Sequence, residues 1–170
     1  AECLQLLREG VQYYHRYISF WHLQRYELCA RDTRRNLRLF QFVNQYARHE
    51  KDKLQFDQWR PYVTMMHARS VAMPLVLLGD YRAAVQVVDV GIKQILAFLE
   101  QYDQLDRAAE CEEYTRLTQW RQELAARLED RPSAEVAGGR HDSLEQALRL
   151  AVEEERFEDA ARLRDQLRRL

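Results

Sequence analysis

Three observations predict an all-α protein. Glycine and proline are scarce, 5 and 3 in 170 residues, too few for the turns of a β-rich fold. Apolar residues recur every three to four positions along most of the chain, the period of a helix with one buried face. The breaks in that pattern fall at short turn signals such as Gly79-Asp80. With 46% hydrophobic and 31% charged residues, the chain has the balance of an ordinary globular protein and is long enough to bury a core.

The elements follow in order. A first helix is expected over 2–28, with Leu4, Leu7, Val11, Tyr14, Ile18, Trp21 and Leu23 inward and Gly10 interrupting the stripe. A second runs from about Arg31 to Arg48 on Leu37, Phe40, Val43 and Ala47. Asp52, Lys53 and Asp57 mark a charged, partly broken stretch. A third helix spans about 60–78, with Pro61 in its first turn, where proline is tolerated, and Pro74 inside it, where a kink or relaxed hydrogen bonding is expected. After Gly79-Asp80, helices cover 81–102 (Ala84, Val88, Ile92, Ile95 and Leu99 inward) and 105–129 (Leu105, Tyr114, Leu117, Trp120, Leu124 and Leu128 inward). Residues 131–142, RPSAEVAGGRHD, read as a linker. Two short helices follow, over about 143–155 and 158–169. The expected domains are therefore a helical body, 1–130, and a hairpin, 143–170.

The body carries a candidate repeat. Leu23-Gln24-Arg25-Tyr26 aligns with Leu78-Gly79-Asp80-Tyr81 at an offset of 55, and Cys29, Thr33, Leu37 and Phe40 then fall on Ala84, Val88, Ile92 and Ile95. This resembles the tetratricopeptide-like pattern of a helix, a Leu-Gly-x-Tyr turn and a second helix, although that family's usual period is about 34. The resemblance implies helix pairs that stack on their neighbours; a generic bundle with two similar turns is the other reading.

Residues 143–170, SLEQALRLAVEEERFEDAARLRDQLRRL, resemble the UVR domain, the UvrB/UvrC motif of bacterial excision repair proteins. The match is carried by Leu148, Ala151-Val152-Glu153, Glu155, Phe157-Glu158, Ala160-Ala161, Leu163-Arg164-Asp165, Leu167 and Leu170. The resemblance implies a helical hairpin that binds another protein, often a second UVR copy, with Leu148, Val152, Phe157, Glu158, Arg162, Arg164, Asp165 and Leu167 as the expected protein-binding residues. The spacing agrees: Ala160, Leu163, Leu167 and Leu170 share one helix face, and Glu158 precedes Arg162 by four. A two-helix unit buries too little area to be securely stable alone. Either it presents a surface for association, or it docks on the body as a last repeat.

Chemistry-bearing motifs are absent. The sequence has no G-x-x-x-x-G-K-[ST], no C-x-x-C, no H-E-x-x-H and no E-x-x-H. No enzymatic activity, cofactor or metal is expected. His15 and His22 lie seven apart, where packing is favoured over metal ligation, and His67 reads as a core-edge histidine. Cys3, Cys29 and Cys111 form an odd, scattered set that fits a reducing compartment. No apolar run reaches membrane-spanning length, so a cytoplasmic protein is expected.

With 26 Lys plus Arg against 27 Asp plus Glu, the formal net charge of −1 excludes a strongly basic nucleic-acid binder by default. Arg31, Arg34, Arg35 and Arg38 nevertheless form a basic stripe, read as a solvated face or as a patch for an anionic partner, an acidic protein or nucleic acid. The first helix is thick with Tyr13, Tyr14, Tyr17, Phe20, Trp21 and Tyr26, which either pack a central helix or line a groove; interleaved with Arg16 and Arg25 they also resemble a base-stacking platform. The expected function is protein–protein interaction, as a non-catalytic adaptor or regulatory scaffold whose partner is another UVR-bearing protein or a second copy. The alternative is an accessory role in nucleotide excision repair. Nucleic-acid contact is expected to be weak at most, and no membrane contact is expected.

Overall fold

A computed structural model describes residues 2–129 and, beyond them, the helical positions Leu144, Ala147, Leu163 and Gln166. Among the described residues there are helices and no strands. They are α1 (Glu2–His22), α2 (Tyr26–Tyr46), α3 (Glu50–Asp57), α4 (Arg60–Leu77), α5 (Tyr81–Gln101), a 3-10 helix (Leu105–Glu110) and α6 (Glu112–Glu129). Long helices pack in chain order, α1 on α2, α2 on α4, α4 on α5 and α5 on α6, while α3 packs on α2 and α6 also touches α4.

Four expected elements are corrected. The first helix stops at His22 rather than 28, and α2 starts at Tyr26 rather than Arg31. The cause is a tight turn in which Gln24 is left-handed, with φ 57°. The amide of Arg25 donates to the Phe20 carbonyl at 2.8 Å and that of Gln24 to Trp21 at 3.0 Å, closing the end of α1. The charged stretch at 52–57 is helical and forms α3, anchored by buried Phe56. The helix expected over 105–129 is divided: Cys111 is extended, with φ −76° and ψ 109°, and α6 begins one residue later. Leu105 is exposed there rather than inward. Pro74 lies inside α4 as expected; the helix continues through it to Leu77, and because proline has no amide hydrogen the Ser70 carbonyl loses its helical donor, the relaxed hydrogen bonding the sequence predicts.

The aligned turns share one geometry. Gly79 has φ 77°, the Asp80 amide donates to Leu75 at 2.9 Å, and the Gly79 amide donates to Val76 at 3.0 Å. The residues that precede α2 and α5, Arg25 and Asp80, have φ/ψ of −86°/66° and −80°/70°. Cys29 and Ala84, Thr33 and Val88, and Phe40 and Ile95 are buried pair by pair, and Leu37 and Ile92 are both half-buried.

The larger core cluster joins Tyr17, Cys29, Met65, Met66, Ala72, Val88, Ile95, Leu117 and Leu124, with a second around Leu39, Phe40, Val43, Phe56 and Val63. Gly91 sits where α5 meets both neighbours: a Cβ there would lie 2.7 Å from Ala68 Cβ and 3.0 Å from Leu117 Cδ2. Two buried carboxylates tie helices together. Asp32 pairs with Arg16 of α1 (Nε to Oδ2, 3.0 Å), and Asp57 accepts from Tyr102 at 2.6 Å, Arg60 at 2.7 Å and Asn44 at 3.2 Å. Burial and that contact with Asp57 push the Tyr102 phenol up to about 12.

Candidate functional site

The apolar stripe expected to bury α1 is largely on the outside. Leu4, Val11, Tyr14 and Leu23 are exposed, whereas Leu7, Ile18 and Trp21 pack half-buried against the core as expected and the fully buried positions are Gly10 and Tyr17. A helix with apolar and aromatic residues on several sides has more greasy surface than one seam can cover. Val11 and Tyr14 open onto a face shared with α4, along which Arg69 of α4 meets α6 further on.

On that face, α1, α2, α3 and α4 enclose a cleft of about 500 Å³. Val11, Tyr14, Trp59 and Tyr62 form its walls; Tyr17, Phe40, Phe56 and Val63 lie deeper. Tyr14 and Tyr62 approach to 6.3 Å between ring centroids, and Tyr14 meets Tyr17 edge-on at 5.5 Å. Val11, Tyr14 and Trp59 are 48%, 40% and 55% exposed, so the aromatic walls are open to a ligand. Asn36 lines the same cleft. Its amide donates to the Gly10 carbonyl at 3.0 Å, which leaves its buried Oδ1 with no donor. The lining is mostly apolar and aromatic, with the unpartnered Asn36 oxygen buried in its wall.

Further along the face, Arg69 of α4 stacks on Trp21 of α1, its Cζ 4.7 Å from the ring centroid. With Arg116, Gln119, Trp120 and Glu123 of α6 it lines a notch of about 220 Å³. Burial, and then the neighbouring Arg116 charge, lower the pKa of Arg69 from its ordinary value.

A larger cleft of about 580 Å³ lies between α2, α4 and α5, lined by Gln41, Asn44, Gln45, Gln94 and Gln101. Its charged groups, Asp57 and Arg60, are engaged with each other.

The four predicted arginines split into two pairs. Arg31 donates to Asp32 at 2.9 Å, and Arg35 pairs with Glu9 and stacks on Tyr13, 4.4 Å from its centroid. Both belong to the α1–α2 seam. Arg34 and Arg38 are exposed. Arg16, one of the two cations interleaved with the aromatics of the first helix, also stacks on the Tyr13 ring, at 4.7 Å, while paired with Asp32; the other, Arg25, is exposed. His15 is exposed at the rim of the apolar cleft, against Tyr14, and His22 is exposed. His67 is half-buried, its Nδ1 3.0 Å from Thr33 Oγ1; burial is the main cause of its lowered pKa. Cys29 is buried against Ser70, and burial raises its thiol pKa. No group of three or more His, Cys, Asp or Glu among the described residues is placed to hold a metal ion, and no helix among them is long and apolar enough to cross a membrane.

The expected protein-binding residues Leu148, Val152, Phe157, Glu158, Arg162, Arg164, Asp165 and Leu167 lie outside the described residues, as does the expected linker. Leu144, Ala147 and Leu163 are half-buried helical positions, and Gln166 is exposed. Sequence reasoning singled out Tyr14 but missed Trp59, Tyr62, Arg69, Arg116 and Trp120. The seven-residue spacings Tyr14–Trp21 and Tyr62–Arg69 place each pair on one helix face, but nothing in the spacing says that the two faces meet. No curated protein and no solved structure matches the chain. The family model of the UvrB/uvrC motif does match, over residues 139–170, so the chain carries that motif at the end of its helical body.

Proposed function

We propose that this protein is a non-catalytic interaction protein, an adaptor or regulatory scaffold that holds one partner in the α1–α4 cleft and a second through its UvrB/uvrC motif. The observation that carries the reading is the open apolar cleft, with Val11, Tyr14 and Trp59 exposed on its walls and an unpaired acceptor on Asn36 inside. Exposed apolar surface of this kind marks sites of association. The matching turns at 23–26 and 78–81 support a tetratricopeptide-like body, in which paired helices present one such face. The UvrB/uvrC motif supports a protein partner, a UVR-bearing protein or a second copy, and two tethered sites raise each other's local concentration. A cytoplasmic setting belongs to this proposal. The same motif also supports the second reading, an accessory role in nucleotide excision repair.

The test is affinity capture from the source cell with three baits: the intact chain, a cleft variant (Val11→Asp, Tyr14→Asp) and a motif variant (Val152→Asp, Leu167→Asp). Two sets of captured proteins are expected, each lost with its own variant. An excision repair subunit in the motif-dependent set would select the second reading. Identical sets from all three baits would reject both sites.

A further inference from the structure

We infer that the segment gripped by the α1–α4–α6 face is an acidic peptide, and that Arg69 reads its carboxylate. The inference rests on the interaction reading above and adds the chemistry of the partner. Arg69 projects from α4 seven residues after Tyr62, and so from the same helix face as a wall of the apolar cleft. Its guanidinium lies over the Trp21 ring, with Cζ 4.7 Å from the centroid. No hydrogen bond or ion pair to a described residue engages it. No Arg69 nitrogen is among the described polar atoms that are buried without a partner, so its guanidinium donors remain open to an incoming carboxylate.

The nearest charge on the facing helix makes the case stronger. Arg116 is a second cation, and it lines the same notch. Its own partner, Glu112, is one turn away on the same helix, and both side chains are more than half exposed, so the pair is weak and easily exchanged. The one carboxylate in the notch among the described residues, Glu123, accepts from Gln119 at 3.4 Å and sits seven residues beyond Arg116. Two arginines converge on a cavity of about 220 Å³ with Trp120 as a wall, room for a single carboxylate-bearing side chain. Arginine matches a carboxylate with two parallel hydrogen bonds, and the stacked indole holds the guanidinium plane in place for it. The apolar cleft supplies affinity through a buried anchor; the notch supplies selection, since a partner lacking the acid leaves two cations facing each other.

The experiment is selection from a displayed library of random dodecapeptides, with the full chain and with Arg69→Gln and Arg116→Gln as baits, at about 150 mM salt to suppress long-range attraction. Among the described residues Arg69 makes no hydrogen bond or ion pair, so the glutamine variant is expected to keep the helical circular dichroism of the parent. The intact chain is expected to enrich peptides that pair an aromatic or aliphatic residue with Asp or Glu. Replacing that acid by its amide should weaken binding roughly tenfold for the intact chain and have no further effect on Arg69→Gln. Enriched peptides without an acid, or acid dependence that survives Arg69→Gln, overturn the inference while leaving the cleft as a binding site. No enrichment from any bait overturns both.

Discussion

At the scale of single residues, the buried polar groups set how the fold responds to pH. His67 is held between the Thr33 hydroxyl and the Ala30 carbonyl, and burial together with the Arg34 charge lowers its pKa below the ordinary value of about 6.5. A lowered histidine pKa means the unfolded chain binds the proton more readily. This group therefore costs no stability well above pH 6.5, and stability is lost as pH falls through that value. The expected outcome is that intact protein loses denaturant stability between about pH 7 and 5 more steeply than His67→Gln. Parallel curves for the two proteins would show that His67 titrates as it does in the unfolded chain. This residue was legible as a core-edge histidine, but its partners were not, because Thr33 lies 34 positions away on another helix.

At the scale of elements, two glycines of similar appearance in the sequence have opposite prospects. In a helix, Gly→Ala is favoured by up to about 1 kcal/mol through propensity alone. At Gly91 that gain is overwhelmed, because the new methyl would meet Ala68 Cβ at 2.7 Å where neither helix has a flexible end to yield. Gly91→Ala is expected to lose about 1–3 kcal/mol in urea unfolding. At Gly10 the nearest atom is Leu39 Cδ2 at 3.4 Å, the end of a mobile side chain. Gly10→Ala is expected to be neutral or to gain up to about 1 kcal/mol. Equal losses at both sites would contradict this account of the α4–α5–α6 approach. The paired turns give a second test. Gly79 takes the left-handed position of its turn, and Asp80 caps α5 by accepting from the Ala83 amide at 3.0 Å. The first turn places Gln24 and Arg25 in the same conformations without either advantage. Copying the second turn into the first, as Gln24→Gly with Arg25→Asp, is expected to raise the unfolding free energy by about 1–2 kcal/mol. A loss of stability would mean that the two turns are only superficially alike.

At the scale of the whole molecule, charge bears on the choice of partner. The net charge is −1, and Arg31 and Arg35 are paired with Asp32 and Glu9, so half of the arginine stripe is neutralised locally. Arg16 is likewise paired with Asp32, which engages one of the two cations, Arg16 and Arg25, expected to support base stacking. Binding to labelled single- or double-stranded DNA is expected to be weaker than about 1 μM at 150 mM salt, and to weaken further as salt rises. Submicromolar binding that disappears when Arg34 and Arg38 are replaced would favour the excision repair reading over the adaptor reading.

The helical class, the helix over 60–77, the following turn and the helix to 101 were all legible, because each depends on local periods and turn chemistry that a sequence displays directly. The residues of the UvrB/uvrC motif were legible for the same reason, being contiguous. The sequence also contained the evidence for the turn at 23–26, in its alignment with 78–81, but the unbroken apolar pattern masked it as continued helix. Which faces meet was decided by tertiary structure alone. Aromatic residues surround α1, so periodicity offered Val11 and Tyr14 as core, whereas packing of α2 at Gly10 and Tyr17 turned them outward to the cleft. Trp59 and Tyr62 join Tyr14, and Arg69 joins Trp21 and Arg116, across separations of 45 to 48 residues in sequence. A helix's own pattern reports how much of it wants burial; only the neighbours it packs against determine which part is covered and which is left for a partner.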